Sequence, residues 1–514
     1  MQEALEGLLF GLQVAITAEN LLAAFAGALA GTVLGIIPGI GPVAGAAIVL
    51  PLTFTMEPTA ALIVISAIYY GVAYGSSTSA ILLNIPGEVS SVVTAIDGYK
   101  MTEKGHGGRA LGVAAVASFF AAVPSVLLVA LAGPFFADVG LRFGPAEFFS
   151  VTLGGLIVLA ISFTGGRPSN GLVPLFLGLA LGTVGTEAVT GTQRFTFGSL
   201  TLSEGVSVVS LGIGVWAITE LLFIVGSKNV FSKPSVRPLR FRDCIPTRQD
   251  LTRSVSPIGR GGAVGFGFGV LPGPAQALSS FFAYRLEKAV GRNRKELGTG
   301  AVEGVAGPEA ANNAAATSAV IPILALGLPF SATLAFMITA LQVQGVTPGP
   351  LLMTQRPEIF WGVIASMLIG NVVLVVLNIN LISVWVRVLR IRYDILIPAI
   401  FAMSVAGAFG ARYILADIFW IIPLAVVGYF LRRAGMGLVP LLLGLILGPL
   451  VEKHLREGLF LSAGDWTYLF TSSGITIAIW TLVVLSLLLP PILNWVRERR
   501  GAKAPLVPVV NDGD

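Results

Sequence analysis

Charged side chains are scarce in this sequence of 514 residues, where lysine, arginine, aspartate and glutamate together make up 11%. Soluble domains carry about 25% charged residues, because these side chains cover the surface that faces water. Hydrophobic residues supply 55% of the chain and gather in long runs, such as 107–134, 149–163 and 474–493. Since about 20 apolar residues cross the hydrocarbon core of a bilayer, the sequence predicts an all-α polytopic membrane protein.

Cysteine and histidine are almost absent as well. The one cysteine, Cys244, excludes an internal disulfide. The two histidines, His106 and His454, belong to no HExxH motif, and the chain contains no P-loop. No pairing of a nucleophile with a base is recognisable either. We therefore expect no enzymatic activity, no cofactor and no transition metal.

The net charge of +5 comes from basic residues in short segments between apolar runs. This distribution follows the positive-inside rule and argues against nucleic acid as a partner. Run lengths indicate about 10 to 12 transmembrane segments together with broken or re-entrant helices. We predict an interfacial helix at 1–19, a first transmembrane repeat at 20–227, a basic cytoplasmic linker at 228–257, a second transmembrane repeat at 258–496 and a disordered cytoplasmic tail at 497–514.

Three pairs of segments indicate that the two halves arose by duplication. The first set recurs 234 residues further along, where Gly27, Gly31, Gly35, Pro38 and Gly39 match Gly261, Gly265, Gly269, Pro272 and Gly273. Segment 171–182 matches 437–448 at ten of twelve positions, and 84–90 matches 327–331 more weakly. Basic residues follow the first polar hairpin but precede the second, which favours inverted halves. The span 394–410 has no counterpart, so the inversion stays open.

The duplicated Pro-Gly pairs predict breaks in membrane helices. Proline removes a backbone donor and glycine permits positive φ, so a break exposes free N–H groups that attract anions. We therefore predict that Pro38, Gly39 and Gly41 line a substrate site together with Pro272 and Gly273. The glycines that precede each break are more readily explained as a helix-packing face.

Consecutive hydroxyl groups form a second candidate site. Ser76, Ser77, Thr78 and Ser79 are followed by Asn84, Pro86 and Gly87, and the later turn contributes Pro329 and Ser331. Because such groups are costly in lipid, they should face a protein interior or a cavity, where they can bind a carboxylate or ligate Na⁺. We predict substrate contacts for all of them and a cation contact for Asn84. Hydrogen bonding between helices is the alternative.

A third candidate lies in an alanine-rich stretch that contains Glu303, Glu309, Asn312 and Asn313. At helical spacing Glu309, Asn312 and Asn313 share one face, and a buried carboxylate beside amides suits a cation. We predict that these three residues bind the coupling cation with Asn84. One alternative is that Pro308 opens a helix whose positive end Glu309 compensates. Another is a cation exchanger or channel that uses Glu303 and Glu309.

Taken together, these blocks resemble the large membrane subunit of the tripartite tricarboxylate transporter family. The segments that carry the resemblance are GTVLGIIPGIGP (31–42), YYGVAYGSSTSAILLNIPG (69–87), AIDGYKM (95–101), GPAEFF (144–149), RFTFG (194–198), GVLPG (269–273), GAVEGVAGPEAANNAA (300–315), LGLP (326–329) and GVTPGP (345–350). The likeness extends over nearly the whole chain. Glu88-Val89, Ala275 and Phe330 depart from the family pattern beside the candidate site.

The resemblance implies a secondary carrier in the bacterial inner membrane that imports citrate or related carboxylates by symport with Na⁺. It also implies two partners, namely a small membrane subunit and a periplasmic solute-binding protein that delivers the substrate. We expect the two broken regions to meet near the midplane. An elevator-like movement of this core against the helices at 145–227 and 413–495 would then give alternating access.

Overall fold

The fold is given by a computed structural model, and the structure describes residues 2–37, 41–162, 167–187, 191–226 and 238–499. These residues are almost entirely helical. Their strands, β1 (Gly185–Thr186) and β2 (Gln193–Arg194), form a short antiparallel hairpin in which Gly185 pairs with Arg194. Arg194 anchors the hairpin through an ion pair with Glu452 at 3.0 Å.

Twenty-three α-helices lie within these described ranges. In chain order they are α1 (Gln2–Ala15), α2 (Ala18–Ile36), α3 (Gly41–Thr53), α4 (Pro58–Leu83), α5 (Ser91–Glu103), α6 (Gly107–Leu141), α7 (Pro145–Ser162), α8 (Ser169–Gly182), α9 (Leu200–Ser203), α10 (Val208–Gly212), α11 (Thr219–Gly226), α12 (Arg248–Gly269), α13 (Ala275–Val290), α14 (Glu303–Ser318), α15 (Ala332–Val343), α16 (Leu352–Gln355), α17 (Pro357–Asn380), α18 (Ile382–Val388), α19 (Tyr393–Arg412), α20 (Leu415–Arg433), α21 (Leu438–Leu461), α22 (Tyr468–Thr471) and α23 (Gly474–Arg499). Two π-helical turns, Ile213–Ile218 and Pro322–Leu326, and one 3₁₀ turn, Phe241–Cys244, complete the set.

Nine helices in the described part of the chain are long and apolar enough to cross a membrane. They are Ala18–Ile36, Pro58–Leu83, Gly107–Leu141, Pro145–Ser162, Val208–Gly226, Pro357–Asn380, Asp394–Arg412, Leu415–Arg433 and Leu438–Leu461. Shorter apolar helices at Gly41–Thr53, Ser169–Gly182, Ala332–Val343 and Gly474–Leu488 accompany them. The prediction of an all-α polytopic membrane protein is therefore confirmed.

Helices α4 and α14 form the centre of the molecule. Every residue of α4 from Thr59 to Leu82 is buried, and so is every residue of α14. Helices α19 and α20 lie at the perimeter, where large apolar side chains such as Ile395, Phe419 and Ile422 are exposed. An apolar outer surface is what a bilayer requires, so the polar groups of the central helices lie away from lipid.

The first Pro-Gly break lies between α2 and α3. Pro38 and Gly39, predicted to line the substrate site, lie outside the described residues. Gly41 begins α3 with a φ of +62°, a conformation that glycine adopts without strain. The chain then turns back along α2, because a Cβ atom on Gly45 would lie 2.8 Å from Leu34 Cδ1. The two helices therefore form a hairpin rather than one straight span.

The second break separates α12 from α13. Helix α12 ends at Gly269, and Gly273 has a φ of +146°. The rings of Phe268 and Phe282 then face each other with centroids 5.7 Å apart, which shows that α13 returns along α12. The second Pro-Gly segment thus lies at the turn of a helical hairpin.

The glycine rows before the two breaks form close helix contacts. In each hairpin the first helix lies against a buried helix, α2 against α4 and α12 against α14. The pairs, with the distance from an added Cβ atom to the facing carbonyl oxygen, are Gly27–Val64 at 2.7 Å, Gly31–Ile68 at 2.6 Å, Gly35–Val72 at 2.3 Å, Gly261–Gly307 at 2.3 Å, Gly265–Ala311 at 2.2 Å and Gly269–Ala315 at 2.4 Å. The interpretation of these glycines as a packing face is confirmed. The two helices of each pair are parallel, because successive contacts rise by four residue numbers along both helices.

Helices α4 and α6 run in opposite directions. Ser77 of α4 and Ser118 of α6 both reach the carboxyl group of Glu309, with oxygen–oxygen distances of 2.7 and 3.4 Å. Further along α4, Leu82 lies beside the start of α6, 3.2 Å from where a Cβ atom on Gly107 would stand. Helices α4 and α6 are therefore antiparallel: the contacts move to higher residue numbers on α4 and to lower ones on α6.

Helix α14 runs in the same direction as α6 and hence opposite to α4. Asn313 of α14 donates a hydrogen bond to Ser118 Oγ over 2.6 Å. Beyond α14, Leu326 Cδ2 lies 2.9 Å from where a Cβ atom on Gly140 would stand near the end of α6. The two buried helices that follow the two hairpins are thus antiparallel.

The most similar pair of segments in the sequence, 171–182 and 437–448, packs as two parallel helices. The contacts, given as the distance from an added Cβ atom to a carbonyl oxygen, are Gly178–Leu441 at 2.1 Å, Gly182–Leu445 at 3.1 Å and Gly444–Leu175 at 2.6 Å. Gly178 and Gly444 correspond to each other in the alignment of the two segments, so the contact is reciprocal. Small residues at such spacing let membrane helices approach closely.

Basic residues from 100–109, 240–260 and 285–300 gather on one end of the molecule, which we call the basic face. Lys104 Nζ donates to the carbonyl oxygen of Thr299 over 2.5 Å, and Arg109 pairs with Asp250 at 2.6 Å. Helix α12 begins on this face at Arg248, inside the stretch predicted as linker, because Thr247 and Asp250 form a capping box. Residues 227–237 and 500–514, which include the start of that linker and most of the predicted tail, lie outside the described residues.

Candidate functional site

Glu309 lies at the centre of a buried polar cluster. Its side chain is on α14 and the residue is 1% exposed. Ser77 and Thr94 donate hydrogen bonds to Oε1 over 2.7 and 2.5 Å, and Ser118 donates to Oε2 over 3.4 Å. Together with Asn313 these residues are called the Glu309 cluster below. Three helices, α4, α5 and α6, thus present hydroxyl groups to one carboxyl group.

Asn313 completes this cluster and leaves an oxygen available. Its Nδ2 donates to Ser118 Oγ over 2.6 Å and to the carbonyl oxygen of Glu309 over 3.2 Å. Its Oδ1 is buried and has no hydrogen-bond partner in the described ranges, which is rare in a protein interior. The cluster therefore offers carboxylate, hydroxyl and amide oxygens, the ligand types that hard cations prefer.

No lysine, arginine or histidine pairs with Glu309 anywhere in the described residues. Glu303, six residues earlier on the same helix, is different. Arg253 donates to both of its oxygens over 2.8 Å, and Asn293 adds a further hydrogen bond. Glu303 is therefore neutralised by a protein cation, whereas Glu309 is held by neutral donors alone.

Pro308 does not open a helix, as one interpretation of the sequence held. Helix α14 begins at Glu303, so Pro308 lies inside it and Glu309 lies beyond its first turn. The interpretation that Glu309 compensates a helix N-terminus is therefore wrong, because that effect is confined to the first turn.

A second polar cluster lies next to the first and joins the two halves of the chain. Glu88 follows α4 and is half-buried. Its Oε1 accepts hydrogen bonds from Ser90 Oγ and from Asn312 Nδ2, the latter over 3.3 Å. Gln276, at the start of α13, donates to Asn312 Oδ1 over 3.0 Å. We call Glu88, Ser90, Gln276 and Asn312 the Glu88 cluster.

Asn84, predicted to bind both substrate and cation, ends α4 in the left-handed conformation with a φ of 57°. Its side chain is exposed, and among the described residues it makes no hydrogen bond. Gly327 adopts the same conformation, with a φ of 72°, after the π turn that follows α14. Pro86 and Pro329 each lie two residues beyond, so the weak likeness of these segments corresponds to a shared backbone turn.

The other first-half residues lie around the first break. Gly87 packs so closely that its Cβ atom would stand 2.4 Å from the carbonyl oxygen of Gly35 and 2.8 Å from Ser76 Cβ. Gly41 lies beside Gly87, because a Cβ atom added to Gly41 would stand 3.9 Å from the carbonyl oxygen of Gly87. Ser76 and Ser79 donate to carbonyl oxygens of their own helix, and Thr78 is buried. Of the four consecutive hydroxyls, only Ser77 reaches Glu309.

The second-half residues divide between two places. Gly273 lies three residues before Gln276 and thus next to the Glu88 cluster. Pro329 and its neighbour Phe330 pack instead against α7 and α21, where Gly155 and Leu447 face them. Pro272 lies in the second break, and Ser331 is half-buried just before α15.

Five residues of the two clusters were not among the site residues predicted from the sequence. Thr94 and Ser118 belong to the Glu309 cluster, and Glu88, Ser90 and Gln276 belong to the Glu88 cluster. The signal for Ser118 was a lone hydroxyl in the apolar run 107–134, since polar groups in such runs usually have an interior partner. Thr94 and Gln276 carry no comparable signal, because each lies in a segment of mixed polarity.

A further carboxylate, Asp97, fastens α5 to the segment that precedes α14. It accepts hydrogen bonds from Tyr284 Oη over 2.9 Å and from three backbone N–H groups, those of Gly298, Gly300 and Ala301. Such an arrangement fixes the position at which α14 begins, and with it the register of Glu309.

Two ion pairs on the basic face support the same region. Arg109 of α6 binds Asp250 through two hydrogen bonds of 3.0 and 2.6 Å. Burial opposes ionisation of the Asp250 carboxyl, but the hydrogen bonds from Arg109 and Thr247 outweigh it and lower its pKa. Arg260 pairs with the buried Glu287 at 2.7 Å. The first pair joins α12 to α6, and the second joins α12 to α13 within the hairpin.

Two helical hairpins that pack on the buried helices α4 and α14, with carboxylates that no basic side chain pairs among the described residues, are typical of a polytopic membrane protein of the transporter type. A family model described as "Tripartite tricarboxylate transporter TctA family" matches residues 21–443. The chain therefore belongs to the tripartite tricarboxylate transporter TctA family, as its motifs predicted.

Two relatives from Agrobacterium vitis are similar to this chain. One is described as an uncharacterized 52.8 kDa protein in the TAR-I ttuC' 3' region, and it is 43% identical over 494 residues, which cover 96% of this chain and 98% of the relative. The other is an uncharacterized protein in the TAR-II ttuC' 3' region, 48% identical over 204 residues, which cover 40% of this chain and 84% of the relative. No solved structure matches the chain.

Proposed function

We propose that this protein is the membrane-spanning carrier of a tripartite system that imports tricarboxylates or related carboxylates by Na⁺ symport. A periplasmic solute-binding protein would deliver the substrate, a small membrane subunit would accompany the carrier, and the complex would lie in the bacterial inner membrane. Family membership supports a transporter subunit with partners. The observation that carries the coupling to a cation is the Glu309 cluster.

The Glu309 cluster suits a small monovalent cation for a physical reason. A buried carboxylate without a positive partner is strongly destabilised in a low-dielectric interior. Na⁺ would remove that penalty, and the hydroxyl groups of Ser77, Thr94 and Ser118 can rotate to present lone pairs to it. Asn313 Oδ1 supplies a further oxygen, one that has no hydrogen-bond partner among the described residues. Asn84 stays a predicted ligand that would have to move inward.

Substrate carboxylates would bind at the two breaks. Free N–H groups at the starts of α3 and α13, near Gly41 and Gly273, provide donors for an anion without a buried positive side chain. The hydrogen bonds that Asn312 donates to Glu88 and accepts from Gln276 connect the two breaks. Substrate and cation would therefore be held by adjacent parts of one polar core.

Inverted halves and an elevator-like movement belong to the same proposal. The opposite directions of α4 and α14, each preceded by a glycine-packed hairpin, support an inverted relation for these parts of the two halves. Helices α8 and α21, which run in the same direction, do not share that relation. Movement of this core against the perimeter helices would expose the breaks first to one side of the membrane and then to the other.

A cation exchanger or channel that uses Glu303 and Glu309 is the second candidate. The ion pair of Glu303 with Arg253 argues against a mobile ion at that residue. Without Glu303 the exchanger would have only one of its two predicted carboxylates.

Uptake of radiolabelled citrate and other carboxylates into proteoliposomes tests the proposal, with the solute-binding protein present and a Na⁺ gradient imposed. We expect Na⁺ to stimulate uptake, and Glu309→Gln or Asn313→Ala to lower that stimulation roughly tenfold or more, since each loss of about 1.4 kcal/mol in cation affinity is a factor of ten. Asn371→Ala is the matched control, because Asn371 is an equally buried amide in α17. Uptake that ignores Na⁺ and survives Asn84→Ala and Asn313→Ala would refute the cation assignment.

A further inference from the structure

We propose that the carrier binds two monovalent cations in each cycle, one at Glu309 and a second at Glu88, which rests on the proposed Na⁺ symport. The first site is the Glu309 cluster. The second is formed by the Glu88 carboxylate and the Ser90 hydroxyl, beside the Asn312 amide, which donates its N–H to Glu88. The proposal fixes a minimum stoichiometry of two cations for each substrate.

The surroundings of the buried acidic residues separate these two from the others. Glu187, Asp250, Glu287, Glu303 and Asp417 each pair with an arginine. The buried Glu147 lies in the first turn of α7 and accepts a hydrogen bond from the Gly144 N–H. Asp97 has three backbone N–H groups at the start of α14, where the helix dipole favours a negative charge. In the described part of the chain, Glu88 and Glu309 accept hydrogen bonds from hydroxyl and amide side chains alone, and no basic side chain pairs with either.

Two such carboxylates in one polar core demand two positive charges. One monovalent cation at Glu309 would leave Glu88 uncompensated, and an arriving substrate anion would add to that excess. The core has no arginine or lysine in its described hydrogen-bond network that could take the second cation's place. A second cation at Glu88 would therefore remove this excess of negative charge before an anion enters.

The two sites differ in access. Glu309 is 1% exposed, and its oxygens face α4, α5 and α6. Glu88 is half-buried and lies in the segment after α4, next to Gly87 and the first break. The cation at Glu88 would therefore stand beside the substrate, whereas the cation at Glu309 would lie behind it.

Helix α14 connects the sites. Glu309, Asn312 and Asn313 lie on one face of this helix at spacings of three and four residues. Asn313 bonds to the first cluster, and Asn312 bonds to the second and to Gln276 of α13. A cation at Glu88 would therefore draw the 84–90 segment and the second hairpin together, which links ion binding to the closing of the core.

Equilibrium binding of radiolabelled Na⁺ to the purified full-length protein, without any carboxylate substrate, tests the stoichiometry. We expect two Na⁺ per chain for the natural protein and one for Glu88→Gln and for Glu309→Gln. Glu57→Gln is the matched control, since Glu57 is an exposed carboxylate before α4, and it should keep two. One Na⁺ in the natural protein, or two in Glu88→Gln, would overturn the proposal.

Aspartate variants guard against loss of folding. Glu88→Asp and Glu309→Asp keep the charge but shorten the side chain, so each should keep two sites with weaker affinity at the altered one. If a glutamine variant lost its cooperative thermal unfolding, the test would rest on the number of Na⁺ ions bound by the aspartate variant and by the natural protein. Two in each would support the proposal, and one in either would refute it. Carboxylate uptake that persists while only one Na⁺ binds would refute the second site and leave the transport function standing.

Discussion

At the scale of single residues, the surroundings of a carboxylate decide its role more than its place in the sequence. Glu303 and Glu309 lie six residues apart on one helix and are both buried. Arg253 neutralises the first, while hydroxyl groups surround the second. The sequence marked both as candidates because it shows only that they interrupt an apolar run. Arg253 is fifty residues away, so only the tertiary structure could distinguish them.

Asp97 gives a prediction at this scale. Asp97→Asn replaces a carboxylate that accepts four hydrogen bonds with an amide that presents its own donors to them. Because hydrogen bonds to a charged group contribute about 1.5–3 kcal/mol, we expect a loss of about 3 kcal/mol in stability and a melting temperature in detergent that is lower by several degrees. The freed segment before α14 should also be cleaved faster by trypsin at Arg292, Arg294 and Lys295.

Asp138→Asn is the control for that change, since Asp138 is exposed on α6. Equal melting temperatures and equal cleavage rates for the two variants would show that Asp97 does not fasten this segment. A lower melting temperature without faster cleavage would show that Asp97 stabilises another part of the protein and not the segment before α14.

At the scale of helices, small residues determine which helices approach each other. The two glycine rows let α2 and α12 lie directly against the backbones of α4 and α14. The sequence predicted these contact faces from the four-residue spacing alone. It could not predict the partner helix, because spacing describes one surface and contact needs two.

Gly265→Ala tests this contact on α12. Its Cβ atom would stand 2.2 Å from the carbonyl oxygen of Ala311, a backbone atom that moves only if α14 moves. Overpacking of this kind costs about 1–3 kcal/mol, so we expect a clearly lower melting temperature in detergent. Gly267→Ala on the same helix meets nothing within 4 Å, and should be neutral or gain up to about 1 kcal/mol. Equal effects of the two variants would contradict the packing.

At the scale of the whole molecule, similar segments do not all share one relation. Helices α4 and α14 run in opposite directions, whereas α8 and α21 run in the same direction and touch each other. Segments 171–182 and 437–448 are the most similar pair in the sequence. In the structure they pack against each other through Gly178 and Gly444. Sequence similarity by itself gave no orientation, because a helix and its reverse have the same periodicity.

Cysteine labelling tests the inverted arrangement. Thr55 precedes α4 and Lys295 precedes α14, and both are exposed. If the halves are inverted, a membrane-impermeant maleimide should label Thr55→Cys and Lys295→Cys from opposite sides of the membrane, with Lys295→Cys on the cytoplasmic side with the basic face. Labelling of both from one side would exclude inversion.

The natural cysteine gives little background in that experiment. Cys244 is 1% exposed, and burial, reinforced by the charge of Asp243, raises the pKa of its thiol to about 12. Since the thiolate is the reactive form, the unaltered protein should label far more slowly than either variant. Both variants can therefore be made without removing Cys244.

The sequence by itself determined the class of protein, the helical architecture, the breaks and the chemical types of the site residues. Composition and run length are local properties, and a bilayer translates them directly into spans. The tertiary structure decided which polar groups meet. Thr94 and Ser118 bind Glu309, Arg253 pairs with Glu303, and the side chain of Asn84 is exposed. The sequence could not show these contacts, because the bonded residues are separated by about 50 to more than 200 residues of chain. Only packing of the hairpins on α4 and α14 brings such distant groups to one place.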